Sequence, residues 1–243
     1  MLDPDGYGHE IWDCYSGKDV VEIVERDDGL IDPSSDLPRG YFAGYGDWPE
    51  YEKEAMKLVV GRVLDIGCGA GRHCLYLQDR GHEVVGLDIS PLAIRVCRER
   101  GVRDARCMSI TQVGSSLGRF DTILLMCNNF GLLGGMARAK WLLRRFKAIT
   151  TPQARIIGAS ADPYKTTNPS HLEYHKLNRR RGRMPGQVRI RIRYQRYASG
   201  WFDYLLVSPE EMKSIVEGTG WQVDRFITTT GPQYIGVLNR TAQ

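Results

Sequence analysis

Short apolar runs alternate with amphipathic stretches through the middle of the chain. The runs at 62–67 (RVLDIG) and 83–88 (EVVGLD) have the length of buried strands, and each precedes a helical pattern that ends at a glycine, Gly81 or Gly101. A third, weaker strand is predicted over 105–110 (ARCMSI). This alternation predicts βαβ units, which connect the neighbouring strands of parallel sheets.

The same alternation continues to residue 160. The strongly apolar run at 120–127 (FDTILLMC) predicts another strand, 136–149 predicts a helix with a buried apolar face, and 155–160 (RIIGAS) predicts a fifth strand. Strands of this length, joined to helices by short glycine-rich turns, are typical of a doubly wound, mostly parallel α/β sheet. We therefore expect that fold class.

The two flanking parts of the chain have a different pattern. Residues 1–60 are rich in glycine, proline, aspartate and aromatic residues, and only 47–60 has a clear helical pattern, so we expect this segment to form a lid over a ligand. At 187–198 apolar residues alternate with arginines, as in a half-exposed strand. Together with 201–208 and the Ser-Gly turn between them, this strand predicts a hairpin with an arginine face.

The composition limits the class of protein. The chain has 243 residues, of which 42% are hydrophobic, and its formal net charge is only +4. It contains no run of roughly 18 apolar residues and no basic-then-apolar leader, so we expect a cytoplasmic protein with no membrane partner. Its six cysteines lack paired C-x-x-C spacing, so reduced thiols are expected and no metal site is predicted.

The most informative segment runs from Leu64 to Ile89. Gly67 and Gly69 stand between a predicted buried strand and a helix, where glycine lets the backbone approach a ligand closely. Asp88 ends the next strand, where a carboxylate can accept hydrogen bonds from both hydroxyls of a ribose. This arrangement indicates a ligand that contains a nucleoside.

The details of the turn argue against a dinucleotide. A dinucleotide site has the pattern G-x-G-x-x-G, but the sixth position counted from Gly67 is Arg72. Asp65 precedes the turn, and a carboxylate there would attract an ammonium group and repel a pyrophosphate. The turn therefore favours a nucleoside ligand with a cationic amino-acid tail.

The segments LDIGCGAG (64–71), EVVGLDI (83–89) and FDTILLMCNN (120–129) resemble the class I S-adenosylmethionine-dependent methyltransferases. The resemblance covers about 62–160, and 208–240 is similar to the ending of that family. It implies a seven-stranded Rossmann-like sheet, S-adenosyl-L-methionine as the cofactor, and methyl transfer as the activity.

The resemblance also implies which residues hold the cofactor. The glycine turn would cradle the methionine part, Asp88 would bind the ribose, Ile89 would pack on the adenine, and the fourth strand would end beside the transferable methyl group. Many members of the family have an aspartate after the third strand that reaches the adenine amine, and here Ser109 and Ile110 stand near that place. The predicted cofactor-binding residues are Asp65, Gly67, Cys68, Gly69, Asp88, Ile89, Ser109, Ile110 and Cys127.

We expect a single methyltransferase domain over 1–243. Its predicted parts are an N-terminal lid (1–60), a cofactor-binding core (61–161), an inserted basic cap with the β-hairpin (162–207), and a C-terminal helix and β-hairpin that belong to the core (208–243). The lid and the cap are expected to form the acceptor side.

Candidate residues for the chemistry follow the carboxyl ends of the predicted strands, where ligands bind in doubly wound sheets. Two asparagines after the fourth strand could orient an acceptor, although asparagine is also common in turns. A tyrosine follows the fifth strand, and two histidines could act as a base. The candidates are Asn128, Asn129, Tyr164, His171 and His9, and the sequence does not choose a base among them.

The basic residues between 176 and 196 leave three interpretations open. They form a solvated face, bind an anionic acceptor, or contact the phosphates of RNA. The small net charge favours methyl transfer to a small molecule, with an oxygen, nitrogen or sulfur nucleophile undecided. The alternatives are an RNA methyltransferase that uses the arginines as a phosphate track, and a non-catalytic cofactor-binding module. Assembly into a homo-oligomer is left open.

Overall fold

The computed structural model describes residues 4–242, which form eight α-helices and twelve β-strands. The helices are α1 (Gly6–Tyr15), α2 (Asp36–Gly40), α3 (Glu50–Met56), α4 (Arg72–Gln78), α5 (Pro91–Glu99), α6 (Met136–Ala148), α7 (Pro169–Arg180) and α8 (Pro209–Val216). The strands are β1 (Glu22–Arg26), β2 (Ile31–Ser34), β3 (Val63–Ile66), β4 (Val84–Asp88), β5 (Ala105–Cys107), β6 (Phe120–Leu125), β7 (Thr150–Ala161), β8 (Gln187–Tyr194), β9 (Tyr197–Ala198), β10 (Phe202–Leu205), β11 (Trp221–Thr228) and β12 (Gln233–Arg240).

The strands of the described residues belong to two sheets. A seven-stranded sheet has the order β11-β12-β7-β6-β3-β4-β5, in which β4 pairs with β5 and β6 with β7 in parallel, while β12 runs antiparallel to both neighbours. A five-stranded sheet has the order β10-β8-β1-β2, with β9 paired to β8. The mostly parallel, Rossmann-like α/β fold expected from the sequence is confirmed.

The described chain divides into two compact units. The first comprises 4–48, 65–110 and 189–202, and the second comprises 49–64, 111–188 and 203–242. In the first unit, β4 is buried at every position, and α5 begins with Ser90 as N-cap and proline at its first position, as the sequence predicts. The Ser90 hydroxyl accepts a hydrogen bond from the Ala93 amide at 3.0 Å, which satisfies one of the free amides of the first turn.

The N-terminal segment contains more regular structure than its sequence predicts. We expect a helix only over 47–60, but residues 6–15 form α1, and β1 and β2 follow it. Asp5 caps α1 by accepting a hydrogen bond from the Gly8 amide at 2.9 Å, and Ile11 is fully buried in a cluster with residues of α5. Two glycines weaken the helical propensity of α1, so its packing against α5, rather than its local sequence, stabilises it.

The arginine-rich hairpin is shorter than expected. The strand predicted over 187–198 ends at Tyr194, because Gln195 adopts a left-handed conformation with φ of 49° and turns the chain back. Tyr197 and Ala198 then pair with β8 as β9, and the strand expected over 201–208 is limited to 202–205. The other long edge of β8 pairs with β1, an antiparallel partner that the sequence pattern did not indicate.

The second unit contains the long strand β7 and the C-terminal elements. Strand β12 pairs with β7 and with β11, so the helix and hairpin predicted after residue 208 are confirmed. Tyr234 is buried and donates a hydrogen bond to the Val207 carbonyl at 2.8 Å, which attaches β12 to the segment before α8. No helix among residues 4–242 is both long enough and apolar enough to cross a membrane.

We predict that Ser208→Ala destabilises the second unit. The Ser208 hydroxyl accepts from the Glu211 amide at 3.2 Å, and the Glu211 carboxylate accepts from the Ser208 amide at 2.9 Å, which forms a capping box for α8. Loss of such an N-cap costs about 1 kcal/mol of unfolding free energy, measurable by urea denaturation. As a control, the exposed Ser214→Ala in the same helix should stabilise by about 0.5 kcal/mol, and equal effects of both would contradict the prediction.

Candidate active site

The glycine turn after β3 forms in the first unit. Gly67, Gly69 and Gly71 have φ angles of 74°, 53° and 80°, a region in which a side chain would be strained. The amides of Gly67 and Cys68 donate to the carbonyl of Leu87 at 2.8 and 2.9 Å. The turn is therefore attached to β4 by its own backbone, and the glycines are required by its conformation.

Asp88 lies at the end of β4 and fixes both the turn and the next helix. Its Oδ2 accepts a hydrogen bond from the Gly69 amide at 3.0 Å, and its Oδ1 accepts from the Ser90 amide at 2.9 Å. The residue is 7% exposed, and burial raises the pKa of its carboxyl to about 6. Each oxygen keeps a further lone pair, so the carboxylate can still accept hydrogen bonds from a ligand.

An apolar side chain projects into solvent directly after this carboxylate. Ile89 is 75% exposed, which is unusual for isoleucine. The exposed Cys107 donates a weak hydrogen bond to the Ile89 carbonyl at 3.4 Å, and the partly exposed Ser109 and Ile110 follow β5. Together they present an uncovered, mainly apolar surface next to an acidic side chain.

The N-terminal helix α1 reaches the same turn. A Cβ atom added at Gly69 would lie 2.5 Å from the Tyr7 hydroxyl oxygen, so this tyrosine lies directly over the turn. Asp5 accepts a hydrogen bond from the Ser90 hydroxyl at 2.8 Å and so joins the start of α1 to the start of α5. Asp5 is not among the predicted site residues, although an aspartate directly before a helical segment is an N-cap signal.

Two residues of the predicted cofactor set face the interior of the first unit. Asp65 is 1% exposed, its Oδ2 accepts a hydrogen bond from the Cys74 thiol at 3.2 Å, and burial raises the pKa of its carboxyl. The Cys68 sulfur lies 3.8 Å from the Cys97 sulfur, and both thiols are buried. The Asp65 and Cys68 side chains therefore point into the protein interior. The opposite surface of the turn is formed by its backbone.

The remaining predicted cofactor residue, Cys127, and the two asparagine candidates lie in the second unit. Cys127 and Asn128 follow β6 with φ angles of 54° and 62°, two successive left-handed residues that are not glycine. Such a conformation is uncommon and is found most often at functional sites. The Asn128 carbonyl accepts a hydrogen bond from the Tyr204 hydroxyl at 2.6 Å, and Asn129 donates its amide to the Met126 carbonyl at 3.0 Å. Sequence reasoning missed Tyr204.

The other three candidates for the chemistry are Tyr164, His171 and His9, and each has its own set of contacts. Tyr164 donates a hydrogen bond to Glu211 at 2.7 Å, and burial together with this carboxylate raises the pKa of its hydroxyl to about 12. His171 Nδ1 lies 3.2 Å from the Thr166 hydroxyl in the same unit. His9 belongs to the first unit and stacks on Tyr197, with ring centroids 3.6 Å apart.

Two of the three arginines of β8 pair with one acidic side chain. Arg191 donates two hydrogen bonds to Glu25 of β1, at 2.7 and 3.0 Å, and Arg193 donates one to the same carboxylate at 3.1 Å. The two strands place Glu25 directly opposite Arg191. Neighbouring guanidinium groups on one strand face therefore share a carboxylate within the protein.

The glycine turn and Asp88 lie in a segment that matches a known family. Residues 63–153, which include the glycine turn and Asp88, match the family described as a methyltransferase domain. The fold is similar to that of a SAM-dependent methyltransferase from Bacteroides fragilis, crystallised in complex with S-adenosyl-L-homocysteine. The two are 25% identical, the match covers 100% of this chain and 98% of that chain, and the TM-score is 0.83.

Curated relatives match over shorter segments. A 2-heptyl-1-hydroxyquinolin-4(1H)-one methyltransferase from Mycobacteroides abscessus is 38% identical over 84 residues, 30% of this chain and 37% of that protein. A dTDP-3-amino-3,6-dideoxy-alpha-D-glucopyranose N,N-dimethyltransferase from Streptomyces fradiae is 30% identical over 122 residues, 46% of this chain and 48% of that protein. The chain spans less than half the length of these relatives.

We predict that Gly131→Ala destabilises the turn that follows β6. A Cβ atom at Gly131 would collide with the ring of Tyr204, whose hydroxyl holds the Asn128 carbonyl. Overpacking of this kind costs roughly 1–3 kcal/mol of unfolding free energy, measurable by thermal or urea denaturation. At Gly114, a Cβ would make only ordinary contacts, so Gly114→Ala is the control. A Gly131→Ala protein as stable as the wild type would contradict the described packing.

Proposed function

We propose that this chain, which belongs to the class I S-adenosylmethionine-dependent methyltransferases, transfers the methyl group of S-adenosyl-L-methionine to a small-molecule acceptor. The observation that carries the proposal is the Asp88 carboxylate, held by two backbone amides between the glycine turn and the exposed Ile89. An acid, a close backbone and an apolar surface in this order suit a nucleoside.

The residues of the first unit fit the proposed cofactor. Asp88 would accept the ribose hydroxyls, Ile89 would cover one face of the adenine, and Ser109 and Ile110 would border the base. The backbone of the turn would receive the methionine part, because Gly69 lacks a side chain and Tyr7 lies over it. The Asp65 contact with the amino group stays a proposal, since that carboxyl is buried and accepts from Cys74.

The bound cofactor supplies an electrophilic methyl group on a sulfonium centre. Methyl transfer is an in-line displacement, so the protein contributes chiefly by holding the acceptor in line and by keeping water out. Asn128 and Asn129 are the proposed acceptor-side residues in the second unit, and Cys127 before them is a proposed cofactor-binding residue. Tyr204 is a positioning residue because it holds the Asn128 carbonyl. An oxygen, nitrogen or sulfur acceptor is compatible with this set.

A small-molecule acceptor is favoured over RNA by the pairing of the arginines. A phosphate track needs arginines that are free to exchange solvent ions for phosphates. Arg191 and Arg193 instead share Glu25, which weakens the case for RNA and also for an anionic acceptor at this face. By their names, the relatives described above act on a hydroxyquinolinone and on a dTDP-amino sugar, while another similar relative is an rRNA methyltransferase, so the preference rests on the pairing of Arg191 and Arg193.

We predict that Asp88→Ala abolishes tight cofactor binding. The substitution removes the proposed acceptor of both ribose hydroxyls, and each charge-assisted hydrogen bond lost costs roughly 1.5–3 kcal/mol. Calorimetric titration with S-adenosylhomocysteine measures the loss, and circular dichroism verifies the fold. Asp79→Ala, an exposed aspartate in the same unit, serves as the control. Unchanged affinity in a folded Asp88→Ala protein would refute the assignment.

We predict that the same affinity depends on pH through Asp88. Burial raises the pKa of this carboxyl to about 6, and only its ionised form accepts two hydroxyl donors. Affinity for S-adenosylhomocysteine should therefore be constant above that pKa and fall as pH decreases through it, approaching about tenfold per pH unit. Calorimetry between neutral pH and the onset of acid unfolding tests this, and a flat profile would count against an ionised Asp88 in the complex.

We predict that the arginines of β8 do not form a nucleic-acid site. Fluorescence anisotropy with an unrelated short single-stranded RNA should show weak binding that does not change in Arg191→Ala or Arg193→Ala, because both side chains pair with Glu25. Arg103→Ala, at an exposed position, is the control. Tight binding that weakens stepwise in these variants, with the salt slope shrinking by about one per lost contact, would instead establish the RNA alternative.

A further inference from the structure

Two glutamates of the N-terminal segment are buried close to the glycine turn in the first unit. Glu10 of α1 is 0% exposed and Glu22, the first residue of β1, is 3% exposed. Within residues 4–242, neither carboxylate oxygen of Glu10 accepts a hydrogen bond from another group. Glu22 accepts a hydrogen bond from the Tyr41 hydroxyl at 3.0 Å, and it lies close enough to accept one from Glu10 when that carboxyl is protonated. The pair therefore has unused acceptor capacity in the protein interior.

A buried acidic pair without a cation is costly for the folded state. Burial, and next the negative charge of Glu22, raise the pKa of Glu10, and burial also raises the pKa of Glu22. No lysine or arginine of the described residues is among the causes that shift the pKa of either glutamate. Buried groups with strongly shifted pKa values cluster at functional sites.

The side chains around Glu10 and Glu22 also suit a cation. Tyr7 lies one helical turn before Glu10, and its ring meets the ring of Tyr41 edge-on, with centroids 5.5 Å apart. The hydroxyl of the same tyrosine lies over Gly69 in the turn. Burial raises the pKa of Tyr7, and the acidic groups that raise it further include Asp88, Glu22 and Glu10. Aromatic rings and carboxylates together form the usual environment of a bound ammonium group.

We propose that Glu10 and Glu22 bind the ammonium group of a ligand beside the glycine turn. This inference rests on the proposed function, in which two ligands carry such a group: an amine acceptor, and the amino-acid end of the cofactor. The ammonium nitrogen would donate hydrogen bonds to the free oxygens of Glu10 and to Glu22. The proton that Glu10 holds without a bound ammonium group would leave to solvent, so the charge of the pair would change from one negative charge to two as the cation binds.

Protonation of the pair is sensitive to its neighbours. The titratable groups whose charges or hydrogen bonds couple to Glu10 or Glu22 are Tyr7 and Cys14 of α1, Tyr41 after α2, and Tyr194 of β8. These neighbours are neutral thiol or phenol groups near pH 7, so Glu10 is the group that exchanges a proton on binding. Ammonium affinity should therefore rise with pH.

The test uses methylammonium as a probe of the full chain, with equal potassium chloride as the ionic-strength control. Wild type should be stabilised against thermal unfolding more by methylammonium than by potassium, and Glu10→Gln or Glu22→Gln should lose that difference. Both variants keep the side-chain volume, and Glu22→Gln keeps an oxygen for Tyr41. Glu99→Gln, a surface glutamate of α5 that pairs with Arg95, is the matched control. No specific response in wild type, or an unchanged response in both variants, would overturn the proposal.

A second measurement identifies the source of the ammonium group. The methylammonium titration is repeated with saturating S-adenosylhomocysteine. If the response disappears, the amino group of the cofactor occupies the pair; if it persists, the pair faces the acceptor, and amines should be the preferred class in transfer assays. Failure of S-adenosylhomocysteine to bind would contradict the proposed function while leaving the first measurement valid.

Proton release provides an independent readout. Titrations of methylammonium in buffers with different ionisation enthalpies should show about one proton released per wild-type molecule near neutral pH, and none from Glu10→Gln. A purely structural pair would give no linked proton and no change in ligand affinity, and the two glutamine variants would differ from wild type only in stability. That result would overturn the proposal.

Discussion

The carboxylate of Asp88 is the junction on which the first unit depends. One oxygen accepts from the Gly69 amide and the other from the Ser90 amide, so the glycine turn and the start of α5 are held by the same side chain. The Ser90 hydroxyl continues this network to Asp5, which in turn caps α1 at Gly8. Three separate stretches of sequence thus share one hydrogen-bonded network, and the proposed ligand contact at Asp88 would act directly on it.

Charge is distributed unevenly around that network, for reasons of burial. Asp65, Glu10, Glu22 and Asp88 are almost fully buried in the first unit, and burial raises the pKa of each carboxyl. By contrast, Arg191 and Arg193 of β8 are partly exposed and share the Glu25 carboxylate. The interior near the turn is therefore suited to cationic groups, although the protein as a whole carries a positive net charge.

The parts of the fold that were predictable have local causes. Apolar runs, glycines with left-handed φ and the Ser90-Pro91 start of α5 specify the alternating strands and helices, and the position of Asp88 follows from them. Helix α1 and the pairing of β1 with β8 were not predictable, because their stability comes from contacts between distant segments. The role of Tyr204 was hidden for the same reason: its partner, the Asn128 carbonyl, carries no side-chain signal.

The pairing of β1 with β8 has a consequence for how the chain folds. Glu25 and Arg191 are separated by 166 positions, so this sheet closes a very long loop, whereas the parallel strands pair over shorter distances. During synthesis, the edge of β1 that pairs with β8 has no partner strand until β8 has left the ribosome. The edge of β1 from Ile23 to Arg26 consequently stays without its partner strand through most of translation, and the Glu25–Arg191 ion pair can form only after that.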